Sequence, residues 1–339
     1  ETSLGRGSRR VFLHGAGRRS ICPARVSELP RLLRAMDAAP SSPSLDCRTD
    51  ATKVVTTMLQ CLLLKSDSKS QASGGPICWC QVSEHGINFT VNEAKSLQAS
   101  AYMKRGLFHE WQLAEAHYST SEEHEPLQFG LNLSTLVECL RILGGGGSGG
   151  LDKPATLQLS FREETSCLML TLVDGTAVTQ CMLHTMDVEP AEPILMDSHT
   201  PVRIVIKSDA LHDGIAELEW GGDTGAQKDK RLCLRVALDP PQLSLTVSSV
   251  DLGCEMAYPP ESLVHFEAAE ELEFDYRFSL VHLALRSIRE SDETCLKIDS
   301  QGLLYLMCKF PSDMASCSNV FLEFYVFPLV DDEQVEAGG

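Results

Sequence analysis

The order of predicted secondary-structure elements repeats once along the chain, on the two sides of a short segment that contains two prolines. Each half reads as a strand, a helix, several strands, a second helix and several more strands. Pro190 and Pro193 interrupt the pattern within Asp187–Met196, because proline lacks the N–H group that regular structure requires. The sequence therefore predicts two similar α+β domains joined by an extended connector.

Most of the chain shows the alternation of apolar and polar residues that is typical of strands. Leu157, Leu159 and Phe161 alternate with polar residues, and this period of two indicates a half-buried strand. Gly86 separates two strand-like runs, where a glycine suits a turn that requires a positive φ. Another turn is predicted at Asp174-Gly175. Turns at such short intervals indicate a fold rich in sheets.

Four segments have apolar residues at the spacing of a helix face, which predicts two helices in each half. The segments are Ala51–Leu64, Leu131–Leu143, Ser208–Trp220 and Phe278–Arg289. For the second helix, Asn132 and Ser134 are candidate caps, and Thr135 with Glu138 matches a capping box. The glycine-rich stretch Gly144–Gly150 follows this helix and is interpreted as a flexible loop.

The charge is distributed unevenly along the chain. The net charge is −18, whereas residues 1–50 contain nine arginines and only five acidic residues. The remainder therefore carries about −22, and an average field of this sign repels nucleic acid. Any contact with DNA must then come from a local group of basic residues.

The first 43 residues are rich in arginine, serine and proline, which is typical of a disordered tail or of a transit peptide. We favour the tail, because nothing later in the chain points to an organelle. The thirteen cysteines lack the spacing of a disulfide framework or a zinc site, and we interpret them as thiols of the cytosol or nucleus. No apolar run is long enough to span a membrane, so no membrane partner is expected.

None of the common catalytic motifs is complete in this sequence. His109-Glu110 begins like a zinc-binding H-E-x-x-H motif, but Leu113 stands where the second histidine is required. Gly144–Gly150 lacks the lysine and hydroxyl residue of a phosphate-binding loop. Acidic residues are abundant, so a metal-dependent nuclease stays an alternative, although no spaced set of carboxylates stands out. We therefore predict no catalytic residue, no metal site and no cofactor.

A few basic residues lie on the predicted helices of this otherwise acidic chain. They are Lys53, Arg141, Arg286 and Arg289. Arg286 and Arg289 are three residues apart and so share a helix face. Such residues can follow a phosphate backbone without reading the bases. The third predicted helix differs, because Asp213, Glu217 and Glu219 make it acidic.

Seven segments are informative when they are taken as a set. In the first half they are Leu45–Leu64, Glu84–Leu97, Ala101–Glu110 and Phe129–Leu143. In the second half they are Ile206–Gly221, Phe274–Arg286 and Leu296–Cys308. Together they resemble the Rad-one family, which supplies one subunit of the heterotrimeric checkpoint clamp called nine-one-one, a relative of proliferating-cell nuclear antigen. The resemblance covers residues 44–328.

The resemblance implies the two-domain sliding-clamp fold, in which each domain has two helices that line the bore and antiparallel sheets outside them. It implies a non-catalytic subunit that forms a ring with two paralogous clamp subunits around double-stranded DNA, without base readout. A clamp loader and checkpoint and repair proteins would be further partners, in the nucleus. Lys53 and Arg141 match positions where clamps place basic bore residues, and Arg286 and Arg289 lie on the matching fourth helix.

The resemblance also implies that neighbouring subunits pair through edge strands, here Ala177–Asp187 and Cys254–Val264. The residues expected at these interfaces are Val178, Gln180, Met182, His184, Cys254 and Met256. The connector is implied to cover a surface groove that receives partner peptides. Its candidate residues are Val188, Glu189, Pro190, Pro193, Ile194 and Leu195.

These expectations divide the chain into five parts. They are a tail at 1–43, an N-terminal clamp domain at 44–186, the connector at 187–197, a C-terminal clamp domain at 198–330 and an acidic tail at 331–339. Two other functions stay open, a 3′→5′ exonuclease that acts on damaged DNA and a homotrimeric replication clamp. Metal-dependent digestion would favour the nuclease, and self-assembly without paralogues would favour the replication clamp.

Overall fold

The computed structural model describes eleven stretches of the chain. They are residues 8–12, 42–64, 75–93, 96–117, 126–145, 155–174, 177–197, 199–219, 230–248, 253–311 and 320–329. Most of the predicted 1–43 tail, most of the Gly144–Gly150 loop and the predicted acidic tail at 331–339 lie outside them. The chain divides into two compact units. The first comprises residues 1–56, 67–87 and 104–189, and the second comprises residues 57–66, 88–103 and 190–339.

The repeated order of elements predicted from the sequence is confirmed. Before the connector, the elements are β1 (Ser8–Phe12), β2 (Leu45–Thr49), α1 (Thr52–Cys61), β3 (Ile77–Ser83), β4 (Gly86–Glu93), β5 (Leu97–Lys104), β6 (Glu110–Leu113), β7 (Leu127–Asn132), α2 (Leu133–Gly145), β8 (Thr156–Arg162), β9 (Cys167–Asp174) and β10 (Ala177–His184).

After the connector, a strand, a helix, a group of strands, a helical segment and a final group of strands follow again. They are β11 (Val202–Lys207), α3 (Ser208–Glu219), β12 (Arg231–Leu238), β13 (Pro241–Ser248), β14 (Gly253–Tyr258), β15 (His265–Ala268), β16 (Leu272–Arg277), α4 (Phe278–Leu283), α5 (Leu285–Arg289), β17 (Glu293–Ile298), β18 (Leu304–Lys309) and β19 (Phe321–Val326).

Six strands of the first unit form a sheet in the order β1-β10-β9-β8-β2-β6. Neighbouring strands are antiparallel except β1 and β10, which run parallel. Helix α2 packs on β9 and β10, and Leu136, Leu140, Leu159 and Leu170 are buried. Burial of one leucine side chain contributes about 1.5–3 kcal/mol, so this apolar layer stabilises the packing of α2 on the sheet.

Helix α2 begins two residues later than the sequence predicts. Leu131 and Asn132 belong to β7, where they pair with Cys78 and Ile77 of β3. The carboxamide oxygen of Asn132 accepts hydrogen bonds from the backbone N–H of Thr135 at 2.9 Å and from its hydroxyl at 3.0 Å. Asn132 is therefore the N-cap, as one of the predicted alternatives has it. The capping box expected at Thr135 is wrong, because the helix has already begun there.

The second unit contains two groups of antiparallel strands. One runs in the order β15-β11-β17-β18-β19-β5, and the other in the order β14-β13-β12-β16. Helix α3 packs against β11, β13, β14 and β17. At its first residue the hydroxyl of Ser208 lies 2.9 Å from that of Ser291 and 2.8 Å from that of Thr294, all three being buried. This hydroxyl cluster anchors the start of the helix beside β17.

The fourth predicted helix, Phe278–Arg289, is two short helices in the structure. The break is at Ala284, whose backbone N–H donates to the carbonyl of Val281, three residues earlier rather than four. A three-residue hydrogen bond of this kind tightens the helical turn. Helix α1 is likewise shorter than predicted and ends at Cys61, because the N–H of Leu63 donates to Gln60, again three residues back.

Gly302 occupies the turn between β17 and β18, and its φ is 81°. A Cβ atom at this position would lie 2.5 Å from the ring of Phe274. We expect Gly302→Ala to destabilise the protein by about 1–3 kcal/mol, because a side chain strains this backbone conformation. The measurement is urea unfolding. Gly253→Ala is the matched control, since nothing lies within 4 Å of a Cβ there. Equal midpoints for the two variants would contradict the prediction.

Candidate DNA-facing helices and subunit edges

Lys53 and Arg141 lie on helix surfaces of the first unit. Lys53 is exposed on α1, whose other face buries Val54, Val55 and Met58. Arg141 is exposed near the end of α2. Amphipathic helices explain both positions, because the apolar stripe that packs inward leaves the remaining residues in solvent. Both side chains are therefore available to a polyanion.

Arg286 and Arg289 are both exposed on the same face of α5 in the second unit. A guanidinium nitrogen of Arg286 donates to the carboxamide oxygen of Gln60 at 3.0 Å, and Arg289 pairs with Glu290 at 3.2 Å. A guanidinium group has five N–H donors, so one partner orients each arginine and leaves donors for another acceptor. Gln60 was missed from the sequence, because it is 226 residues away from Arg286.

Helix α3, which packs against α5, is acidic on its exposed side. Asp213, Glu217 and Glu219 are exposed, and a carboxylate oxygen of Glu219 lies 3.3 Å from the ring nitrogen of His282. The helical surface of the second unit is thus mixed in charge, as the sequence predicts. A phosphate backbone near α5 would be attracted by two arginines and repelled by α3.

Lys230 is a basic residue that no pattern in the sequence identifies. Its ammonium group donates to the carbonyls of Leu218 and Glu219 at 2.6 and 3.1 Å, and lies 4.5 Å from the ring centroid of Phe278. Burial lowers the pKa of this lysine. Lys230 therefore satisfies the C-terminal carbonyls of α3 and is not a further residue for a phosphate.

One of the two strands expected at a subunit interface has a neighbour on each side. In β10, Val178, Gln180 and Met182 are half-buried and His184 is exposed. The strand pairs with β9 on one side and with β1 on the other. In this structure β10 is therefore not an edge strand, because the backbone of β1 takes up its outer side, and its place at a subunit interface stays a prediction.

The second expected interface strand, β14, is the outermost strand of its sheet. Cys254 and Met256 are half-buried on it. The hydroxyl of Tyr258, at the end of β14, donates to the carbonyl of Ala210 at 3.2 Å, so the strand is held against α3. Burial raises the pKa of this tyrosine to about 12, and its hydroxyl stays protonated as a donor.

The connector has neither helix nor strand between residues 187 and 197, as its prolines predict. In the first unit, Val188 packs against Gly130, whose lack of a side chain makes the contact possible. In the second unit, the N–H of Asp197 donates to the carboxylate of Asp299 at 3.2 Å. Of the groove candidates, Glu189, Pro190, Pro193 and Leu195 are exposed, and Val188 and Ile194 are half-buried. Leu195 is an apolar residue that is 83% exposed to solvent.

Metal-dependent or nucleophilic chemistry would depend on clustered metal ligands or on ionised thiols. Among the described residues, no group of three histidine, cysteine or acidic side chains could hold a metal ion. None of the eleven cysteines described forms a disulfide. Burial raises the pKa of Cys61 to about 11 and that of Cys308 to about 12, and a protonated thiol is a poor nucleophile. In this part of the chain no helix is both long and apolar enough to cross a membrane.

The family described as "Repair protein Rad1/Rec1/Rad17" matches residues 44–308, which span both halves of the repeat. The chain belongs to this family. Among its relatives are "Cell cycle checkpoint protein RAD1" from Mus musculus, 26% identical over 261 residues, and "DNA damage checkpoint control protein rad1" from Schizosaccharomyces pombe, 24% identical over 269 residues. The alignments cover 76% and 74% of this chain, and 84% and 79% of these relatives.

Two solved structures have a fold similar to that of this chain. The proliferating cellular nuclear antigen from Entamoeba histolytica is similar with a TM-score of 0.64 at 14% identity, covering 85% of this chain and 100% of that one. The PCNA2–PCNA3 complex from Sulfolobus tokodaii is similar with a TM-score of 0.62 at 15% identity, covering 84% and 98%. The predicted sliding-clamp fold and the Rad-one resemblance are therefore confirmed.

Proposed function

We propose that this protein is one subunit of a heterotrimeric checkpoint sliding clamp that encircles DNA in the nucleus. The observation that carries the proposal is the family match over residues 44–308, which includes both clamp-like halves and not one domain alone. The relatives are named as checkpoint proteins, and the fold is that of a clamp. The subunit would form its ring with two paralogous clamp subunits.

A ring holds DNA by enclosing it, so few phosphate contacts are needed and no base has to be read. Lys53, Arg141, Arg286 and Arg289 would supply this subunit's contacts, which salt weakens and which allow sliding. The net charge of −18 disfavours DNA on other surfaces. Because the exposed side of α3 is acidic, the two other subunits would supply much of the positive charge of the bore.

The proposed subunit is a scaffold and not an enzyme. Ring closure around DNA requires shape and charge, and neither requires a nucleophile or a metal. The clamp loader would open and close the ring, and the connector with its exposed Leu195 would offer a surface to checkpoint and repair proteins. Digestion of DNA by the purified subunit, lost on substitution of one carboxylate, would instead favour the exonuclease.

Light scattering after size exclusion tests the proposed assembly. We expect the chain alone to have the mass of one 37.2 kDa subunit, and co-expression with its two clamp paralogues to give a 1:1:1 complex. A trimer of this chain alone would contradict the proposal in favour of a replication-type clamp. A monomer that binds neither paralogue would contradict both kinds of clamp.

A further inference from the structure

The outer side of β10 is occupied by a segment of the same chain. Strand β1 pairs with it in parallel, from Ser8 opposite Val178 to Phe12 opposite Met182. Every other neighbouring pair in this sheet is antiparallel. Strand β1 is therefore added at the end of an otherwise antiparallel sheet and does not continue its antiparallel pairing.

The chain between β1 and the rest of the fold is long enough for this arrangement. Residues 13–41 lie between them, 29 residues in all. A parallel crossover needs a connection of about a dozen residues or more, so the length imposes no strain. Because β1 and β10 belong to one chain, their pairing is intramolecular and does not depend on protein concentration.

An edge strand presents a row of backbone N–H and C=O groups to a second strand. Only one strand can use this row at a time, so β1 and a neighbouring subunit exclude one another. The paired register stops at Met182, two residues before β10 ends at His184. An incoming strand can begin pairing at that end and then replace β1 residue by residue.

We propose that β1 is an intramolecular edge cover, which occupies β10 in the isolated subunit and is displaced when a paralogous subunit pairs with β10. The inference rests on the proposed function, since it takes β10 as one of the two ring interfaces. The cover protects an exposed edge from pairing with a second copy of this chain. Ring assembly then requires a partner whose strand outcompetes a tethered segment of five residues.

The cover weakens binding at the β10 side in proportion to its occupancy. If β1 is seated in nine molecules out of ten, the apparent affinity of that paralogue is lowered about tenfold. The interface at β14 lies in the other unit and is unaffected by this competition. One paralogue should therefore respond to changes in β1, and the other should not.

The test uses the full-length chain with Arg10→Pro and Val11→Pro together. In a strand, successive N–H groups point to opposite sides, so two adjacent prolines remove the one directed at β10 whichever it is. Arg19→Pro with Ser20→Pro is the matched control, because it removes one arginine and adds two prolines outside β1. Two quantities are measured, amide hydrogen exchange of residues 178–182 in the isolated subunit and the affinity for each paralogue.

We expect the R10P/V11P variant to exchange these amides faster and to bind one paralogue about tenfold more tightly, with the control unchanged. Unchanged exchange together with unchanged affinity would overturn the edge cover. Faster exchange with unchanged affinities would overturn its role in assembly. If neither paralogue binds any form of the chain, the proposed function fails, while the exchange measurement still decides whether β1 covers β10.

Discussion

Replacing Arg286 and Arg289 together by glutamate is expected to weaken retention of DNA by the assembled ring by roughly 60-fold at 0.1 M monovalent salt. Each phosphate contact contributes a slope of about −0.9 to the dependence of log affinity on log salt concentration, so the loss of two contacts multiplies to this factor. Two new negative charges add repulsion, which makes the estimate a lower bound. The slope itself should become shallower by about two units.

The structure supplies a matched control for this charge reversal. Arg203 and Arg235 are exposed on strands β11 and β12 of the same unit, and their replacement by glutamate changes the net charge equally. Both variants are assembled with the two paralogues, and their masses are checked before retention on circular DNA is measured. Retention and salt slope that are the same in the two variants would show that α5 does not face DNA.

Each of the two arginines has one contact that orients its guanidinium group. Gln60 holds Arg286, and Glu290 holds Arg289. Gln60→Ala removes the orienting acceptor without changing the charge of the ring. A small loss of retention in Q60A, beside a large loss in the reversal, would assign most of the effect to charge and the remainder to orientation.

Replacing Tyr276 by alanine is expected to destabilise the subunit by about 3–5 kcal/mol. Tyr276 is completely buried in β16, opposite Leu232 of β12, and its removal leaves a cavity the size of an aromatic ring. Its hydroxyl donates to the carbonyl of Gly302 at 2.7 Å, so the ring also holds the turn between β17 and β18. Burial raises the pKa of Tyr276 well above its usual value, which keeps the donor protonated.

Tyr276→Phe separates the packing of this ring from its hydrogen bond. The ring volume is kept, while the buried carbonyl of Gly302 loses its donor, and we expect a loss of about 1–3 kcal/mol. Both variants are compared with the unsubstituted chain by urea unfolding of the isolated subunit. A Y276A variant that lost less than its phenylalanine counterpart would contradict the cavity explanation.

Local periodicity is sufficient to indicate which residues of a helix are exposed. Lys53, Arg141, Arg286 and Arg289 are all exposed as the sequence predicts, because a 3.6-residue period places the apolar residues of a helix on one side. The turns at Gly86 and Gly302 have the positive φ that glycine allows, 143° and 81°. Each of these features depends on residues that are close together in the sequence.

The boundaries and contacts that the sequence leaves undecided depend on distant residues. Leu131 is the first residue of the predicted second helix, but it pairs with Cys78 and so belongs to β7. Whether Gln60 meets Arg286 depends on two segments separated by 226 residues. The parallel pairing of β1 with β10 joins segments about 170 residues apart, and no local pattern in Ser8–Phe12 specifies its partner.

The repeated α+β order, the connector and the family follow from the sequence, as does the exposure of the basic residues on the helices. Periodicity, proline geometry and family-specific segments are local properties that can be read along the chain. The folded structure was needed to establish where α2 begins, that the fourth helix breaks at Ala284, which acceptor holds Arg286 and which strand covers β10. Those outcomes depend on competition among backbone hydrogen-bonding groups and side chains that folding brings together from distant parts of the chain.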